Sequence, residues 1–244
     1  FSESNKFGYA AYYIGLIYYD TKVYDKALSI LQKFVKAYPK FALGHLYLAK
    51  SATVLLKYEL AETAYKAYLR INPNDAGVHF ALGSLYDEFG KTKAALESYD
   101  KAKKLGFEDV ELKIAQAKAQ EKAGQIEQAI SLYQQILVLY PRQVDVLANL
   151  GVLYAKTNKP EEAIASINTA ISINREDGEL YYYLSTAYLK INLFDKALGA
   201  AKKAYKLKYK HEDVFTNMGR AHYELGQYKL AMIAYDESLK TKKI

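Results

Sequence analysis

Histidine, carboxylate and lysine are the side chains of this 244-residue sequence that could do chemistry, because cysteine is absent and with it disulfides, thiolate metal sites and a thiol nucleophile. A zinc or hydrolytic site would place histidines at i, i+4 spacing or in a short loop beside a carboxylate. None of the four histidines does so: His45 and His79 stand 34 residues apart, His211 falls at the junction of two sequence repeats, and His222 lies near the end of a predicted helix. Packing or surface roles are expected for them, and no metal. The carboxylates Glu111, Asp145, Glu179 and Asp213 also recur every 34 residues and could pass for a cation ladder. Each falls in the first turn of a predicted helix, where negative charge meets the positive end of the helix dipole. The mirror column Lys36, Arg70, Lys104, Lys206 and Lys240 falls near the last turns of other helices and accounts locally for much of the net charge of +7. Lys202, Lys203, Lys206, Lys208 and Lys210 form a denser cluster that could meet phosphate or an acidic protein surface. It lacks interleaved stacking aromatics and any nucleic-acid motif, so a solvated face is expected and nucleic-acid binding is disfavoured. Nothing assembles a nucleophile, acid, base or metal in a preorganised cleft, so neither an enzyme nor a cofactor is expected.

The elements that carry these residues repeat. Alanine stands at Ala27, Ala61, Ala95, Ala129, Ala163, Ala197 and Ala231, always 34 residues apart, and twelve residues before each is a small residue: Gly15, Ala49, Gly83, Ala117, Gly151, Ser185 and Gly219. Small residues at such points let two helices approach, and larger ones there cost about 1–3 kcal/mol. Between the two columns come Gly90, Gly124, Asn158, Asn192 and Gly226, the residue types that enter the left-handed conformation at low cost where a helix ends and the chain reverses. The first two repeats have Lys22 and Leu56 there, which predicts differently shaped turns. Pro39, Pro73 and Pro141 close three of the repeats, and Asp75, Asp109 and Asp177 are placed to N-cap the helices that follow. Apolar residues recur at helical spacing throughout, and nothing alternates with period two.

Small-residue columns, a turn glycine, an alanine and a closing proline at a 34-residue period resemble the tetratricopeptide repeat. Segments such as YDKAL at 24–28, FDKAL at 194–198 and LGSLYDEFG at 82–90 carry that resemblance, which extends over residues 8–244. It implies an all-α, right-handed superhelical solenoid of seven helix-turn-helix repeats, at 8–41, 42–75, 76–109, 110–143, 144–177, 178–211 and 212–244. Residues 1–7 would be an N-terminal remnant or the end of an upstream repeat. The first helix of each pair would line a concave groove and the second form the convex back.

On that geometry the groove is aromatic at its start, with Tyr9, Tyr12, Tyr13, Leu16 and Tyr19, then Leu46, Tyr47 and Lys50, then Phe80 and Ser84. Farther on it is more polar, with Ile114, Lys118, Asn149, Val152, Tyr182, Tyr183, Thr186, Asn217 and Arg220. Tyrosine combines apolar area with a hydrogen-bonding tip, which suits a peptide-binding surface. A competing reading has some of these tyrosines packing on an upstream repeat. The two-carboxylate clamp of chaperone-binding family members is absent, since Tyr12, Leu16, Tyr47, Gly77 and Ala81 occupy its positions. The asparagine ladder of glycosyltransferase-associated members is represented by Asn149 and Asn217 alone, alternating with Ala115 and Tyr183.

The resemblance therefore implies an adaptor or scaffold that binds a peptide segment of a protein partner. Alternatives are the non-catalytic repeat portion of a larger enzyme or assembly, or a scaffold that self-associates into a homo-oligomer through uncapped ends. With 51% hydrophobic residues the chain is rich enough in apolar material to fold, and one elongated domain is expected. No apolar run approaches the roughly 18 residues that span a bilayer, membrane contact is not evident, and the compartment is undetermined.

Overall fold

The 34-residue period becomes an alternation of first and second helices joined by tight reversals. The computed structural model describes residues 3–209 and 212–241, so Lys210 and His211 lie outside the described residues. Among the described residues there are fourteen α-helices and no strand. They are α1 (Glu3–Asp20), α2 (Tyr24–Ala37), α3 (Ala42–Val54), α4 (Tyr58–Ile71), α5 (Ala76–Glu88), α6 (Thr92–Lys104) and α7 (Val110–Lys122). There follow α8 (Ile126–Leu139), α9 (Val144–Lys156), α10 (Pro160–Ile173), α11 (Gly178–Lys190), α12 (Phe194–Lys206), α13 (Glu212–Glu224) and α14 (Tyr228–Thr241). Residues 3–7, set aside in the sequence as a remnant, continue α1. The chain divides into two compact units, residues 1–125 and 126–244, with the division inside the fourth repeat. Each unit is a run of helical repeats.

The small-residue column works by size complementarity with the residue sixteen positions later. A Cβ on Gly83 would lie 2.5 Å from the Tyr99 ring, one on Gly151 2.5 Å from Ile167, and one on Gly15 2.8 Å from Leu31. The sixth repeat meets the same demand with two small residues: Ser185 and Ala201 are both fully buried, and Ser185 Oγ donates to the Ala197 carbonyl at 2.9 Å. Tyr65 and Tyr99, on second helices, belong to the core of the first unit.

All seven within-repeat turns have one shape, contrary to the expectation for the first two. Lys22 (φ 62°) and Leu56 (φ 55°) are left-handed like Gly90, Gly124, Asn158, Asn192 and Gly226. The next N–H reaches back five residues in each case, as Val23 to the Tyr18 carbonyl and Lys57 to the Ala52 carbonyl, both at 2.8 Å. This is the glycine-type helix stop. Helix packing on both sides imposes it, and the side chains at Lys22 and Leu56 bear a left-handed cost of about 1–2 kcal/mol. Leu56 is 64% exposed and adds little packing in return. Leu56→Gly is therefore expected to stabilise the chain by about 0.5–1 kcal/mol after the extra unfolded-state entropy of glycine is counted, read as a higher thermal midpoint.

Between repeats there are two closures. Tyr38, Asn72, Tyr140 and Asn174 end the second helices of repeats one, two, four and five with N–H bonds to the carbonyls four residues back, at 2.7–2.9 Å. Repeats three and six, which lack the proline, instead place Gly106 (φ 89°) and Lys208 (φ 63°) in the left-handed region. The aromatic that follows folds back on the preceding first helix: Phe107 stacks on Phe80 at 5.0 Å, and Tyr209 on Tyr182 at 5.6 Å between ring centroids. The expected caps form, with Asp75 accepting from the Val78 N–H, Asp109 from Glu111 and Asp177 from Glu179 at 3.0–3.1 Å.

One ionic cluster ties repeat two to repeat three. Glu62 on α4 accepts from Lys66 at 2.6 Å, from Lys91 at 2.9 Å and from the Tyr86 hydroxyl at 3.1 Å. The Lys66 and Lys91 bonds hold its carboxyl down at about 2. A carboxylate whose folded pKa is depressed contributes stability that is complete above its unfolded pKa and is lost as pH falls through the folded value. The Glu62 contribution should thus be intact above about pH 5 and vanish toward pH 2. Because both lysines are about half exposed, it should amount to about 1 kcal/mol. Glu62→Gln should lower stability at pH 7 by that amount and leave it nearly unchanged at pH 2, as measured by urea melts at the two pH values.

Candidate functional site

In the first unit the aromatic residues of α1, α3 and α5 are largely engaged with one another. Tyr12, expected on an accessible face, is 5% exposed and belongs to the core. Phe34 of α2 and Phe41 at the start of α3 close over it, at 5.7 and 4.9 Å between ring centroids. Tyr47 lies half-buried between Tyr12 (6.3 Å) and Tyr19 (5.4 Å), with the Lys50 ammonium 5.3 Å from its ring centroid. Tyr19 also meets Tyr24 at 5.5 Å. Leu16 and Leu46 are partly buried against the same core. Phe80 is held between Tyr99 and Phe107, and the Ser84 hydroxyl donates to the Phe80 carbonyl at 3.3 Å. Tyr9 at 43% and Tyr13 at 57% exposure are the residues of this set that solvent reaches most.

In the second unit, α9 and α11, the first helices of successive repeats, enclose a pocket of about 190 Å³. Gly151, Val152 and Ala155 of α9 and Ile167 of α10 make an apolar floor, and Tyr182, Tyr183 and Thr186 of α11 make the facing wall. Lys156 and Lys190, in the last turns of α9 and α11, complete the lining. The Lys190 ammonium donates to the carbonyl of Ala155, one of the C-terminal carbonyls of α9 that no intrahelical N–H reaches.

A polar network holds the tyrosine wall. Tyr183 donates to Glu179 at 2.7 Å and Tyr209 donates to the same oxygen at 3.5 Å, while Tyr182 donates to Asp213 at 3.3 Å. Burial first, and Glu179 second, push the Tyr183 hydroxyl well above the usual phenol range and that of Tyr209 up to about 12. These phenols are neutral donors at physiological pH. Asn217 donates to Thr186 Oγ1 at 2.9 Å, and Thr186 itself donates to the Tyr182 carbonyl at 3.1 Å. Asn217 thus ties α13 to α11. Asn149 is half-buried on α9 outside the pocket lining, and Arg220 is exposed on α13.

Of the sequence candidates, Val152, Tyr182, Tyr183 and Thr186 come together at this pocket; Lys156 and Lys190 were not singled out. Their signal was present, since they are 34 residues apart and each ends a first helix. His45, His79 and His222 have structural partners. Nε2 of His45 and of His79 lies 2.9 Å from the carbonyls of Pro39 and Pro73, which ties each closing proline to the next first helix. His222 is buried, with Nδ1 2.6 Å from Gln227 Oε1. Among the described residues no three His, Asp or Glu side chains cluster as metal ligands, and no helix is long and apolar enough to cross a membrane.

Comparison with known proteins follows the same lines. Family models described as Tetratricopeptide repeat match residues 9–40, 121–188, and 46–106 together with 182–243. A curated relative is anaphase-promoting complex subunit 3 of Schizosaccharomyces pombe, 32% identical over 92 residues that make up 38% of this chain and 14% of that protein. Among solved structures, MamA aligns with a TM-score of 0.64 at 24% identity over 69% of this chain and 92% of its own. YrrB, described as a TPR protein with an unusual peptide-binding site, aligns with a TM-score of 0.66 at 18% identity over 76% of this chain and 96% of its own. At those identities the structural likeness speaks for the fold. With the period, the turn geometry and the matched models in agreement, this chain belongs to the tetratricopeptide-repeat family.

Proposed function

We propose that the chain is a non-catalytic protein-interaction module, an adaptor or scaffold, whose first-helix faces bind a peptide segment of a partner. The observation that carries this reading is a division of labour among residues. The strictly periodic positions are spent on helix packing and turns, while irregular first-helix positions such as Tyr9, Tyr13 and Arg220 are left to solvent. The α9/α11 pocket adds a concave, mostly apolar place for a side chain, the usual character of a binding site. The peptide-binding site named for YrrB on the same fold is in keeping with it. Affinity capture with quantitative mass spectrometry tests it, using the intact chain, Tyr9→Ala/Tyr13→Ala and Tyr183→Ala as baits of matched helicity. A partner retained by the intact chain should fall about tenfold or more with at least one variant, as truncation of an aromatic anchor does. Equal retention by all three would sink the assignment of the face.

A second reading is favoured by the match to a subunit of a multiprotein complex: the chain as the repeat portion of an assembly component. It spans 14% of that relative's length, so the rest of such a protein would carry further functions. A reading frame holding these repeats alone would remove this alternative.

A further inference from the structure

We infer that copies of this chain stack head to tail: α14 of one copy packs on α1 of a second copy, reproducing the contact that joins successive repeats within the chain. The inference goes beyond the peptide-binding reading and uses neither Tyr9, Tyr13 nor the α9/α11 pocket. The contact itself is visible inside the second unit. Ile164, Ile167 and Ile171 of α10 share one core with Leu180 and Leu184 of α11. Leu198 of α12 shares another with Met218 and Ala221 of α13. At the 34-residue period, the registers of the three isoleucines fall in the last repeat on Met232, Tyr235 and Leu239 of α14. Those of Leu180, Leu184 and Ala221 fall in the first repeat on Ala10, Ile14 and Ile17 of α1.

Burial separates these end residues from their equivalents. At the Ile14 register Leu48, Leu82, Leu150 and Leu184 are buried, and at the Ile17 register so are Ser51, Leu85, Leu153 and Ala187. Ile14 itself is exposed, and Ile17 is 60% exposed. On α14 Met232 is 67% exposed where Leu28, Ile130 and Leu198 are buried, and Tyr235 and Leu239 are exposed with it. A groove of about 440 Å³ runs between α1 and α2, with Ala11, Ile14, Ile30 and Phe34 in its lining. Ile14 and Ile30 stand at the registers of Leu184 and Ala200, which pack with α10 of the preceding repeat in the second unit. The groove therefore has the form that a second helix of a preceding repeat fills, and α14 is such a helix. Two large side chains fit where Met232 would meet Ile17, since Ile130 and Leu153 hold those registers in repeats four and five and are both buried. α14 is also more apolar than its own repeat requires: Ile233 is exposed where Ser29, Thr63, Glu97 and Ser131 stand in earlier repeats. Contiguous apolar surface of this kind marks an interaction site. A second copy supplies the complementary half in the right register, which an unrelated partner would have to imitate. The contact is heterologous, so the copies close into a ring or continue as an open row.

The test uses the full-length product of the reading frame that holds these repeats, its mass measured by light scattering and sedimentation between about 2 and 200 µM. The mass should rise with concentration to two copies or more, and the thermal midpoint should rise with it. Ile17→Lys and Met232→Lys change side chains that solvent already reaches, so helicity should hold in both. Each would put a charge into the apolar contact and should weaken association about tenfold or more, leaving single copies. Mixed one to one, the two variants should form a pair that grows no further, because only one intact α1 face and one intact α14 face can then meet. A single-copy mass of the unmodified protein across the range would overturn the proposal, and is the result expected if a further helix of the same chain covers α14. Association that survives either substitution alone, or a mixture that stays single-copy, would overturn the head-to-tail contact.

Discussion

Gly83→Leu should cost the chain about 3 kcal/mol or more. The Cβ alone would stand 2.5 Å from two atoms of the Tyr99 ring, a distance no side chain tolerates. Tyr99 is 1% exposed and lies 5.8 Å from Phe80, so it has nowhere to retreat without opening the core of the first unit. Helix propensity works the other way, because leaving glycine in a helix gains up to about 1 kcal/mol. The alanine variant should therefore lose only about 1–2 kcal/mol, the clash exceeding the gain. Gly199 supplies the control. It is exposed inside α12, an added Cβ there would meet nothing within 4 Å, and Gly199→Ala should stabilise by about 0.5–1 kcal/mol. Tyr99→Ala placed in the Gly83→Leu background should recover part of the loss, since the introduced side chain would then occupy the space of the removed ring. Urea melts of these four variants and of Tyr99→Ala alone measure this. Independent additivity of Gly83→Leu and Tyr99→Ala would refute the size-complementary contact.

The repeat was legible in the sequence because each of its features answers a local requirement that recurs: a small residue where helices touch, a reversal, a cap. Asp75, Asp109 and Asp177 could be assigned as caps without knowledge of neighbours, and they accept the expected N–H bonds. The turns at Lys22 and Leu56 were less legible because residue type is weak evidence where tertiary packing dictates the backbone. The contacts of α1 with α2 and of α3 with α4 outweigh the preference of the side chain at either reversal. The left-handed closures at Gly106 and Lys208 were hidden for a related reason: Lys208 reads as one more lysine in a basic cluster until its φ is known.

The candidate surface was legible in part. Residues at one first-helix register, such as Val152, Tyr183 and Thr186, could be grouped from spacing, and they do meet at one pocket. The depth of that pocket could not be read. It depends on how far α9 and α11 stand apart and on Ile167, which reaches the floor from a second helix. Lys156 and Lys190 also carried a sufficient local explanation as cations at helix C-termini, which masked their place on the rim. Burial within a tyrosine-rich stretch was likewise invisible, because Tyr9, Tyr12 and Tyr13 differ in environment and not in type.

That difference in environment makes Tyr12 and Tyr13 a decisive pair. Tyr12→Ala should lose about 3–4 kcal/mol, since it would empty a site enclosed by Phe34, Phe41 and Tyr47 and take one ring contact from each of them. Tyr13→Ala removes a ring that is 57% exposed and should change stability by no more than about 0.5 kcal/mol. Tyr12→Phe keeps the ring contacts and should stay within about 1 kcal/mol of the unmodified chain. In a binding assay the order reverses once stability is controlled. Tyr13→Ala should weaken a partner that uses the first-unit face, whereas Tyr12→Phe should not, because its ring already belongs to the fold. Urea melts and partner titrations on the same three proteins separate the two roles. A Tyr12→Ala chain as stable as the original would show that the aromatic cluster around Phe41 does not hold α1 to α3, and Tyr12 would then return to the accessible face.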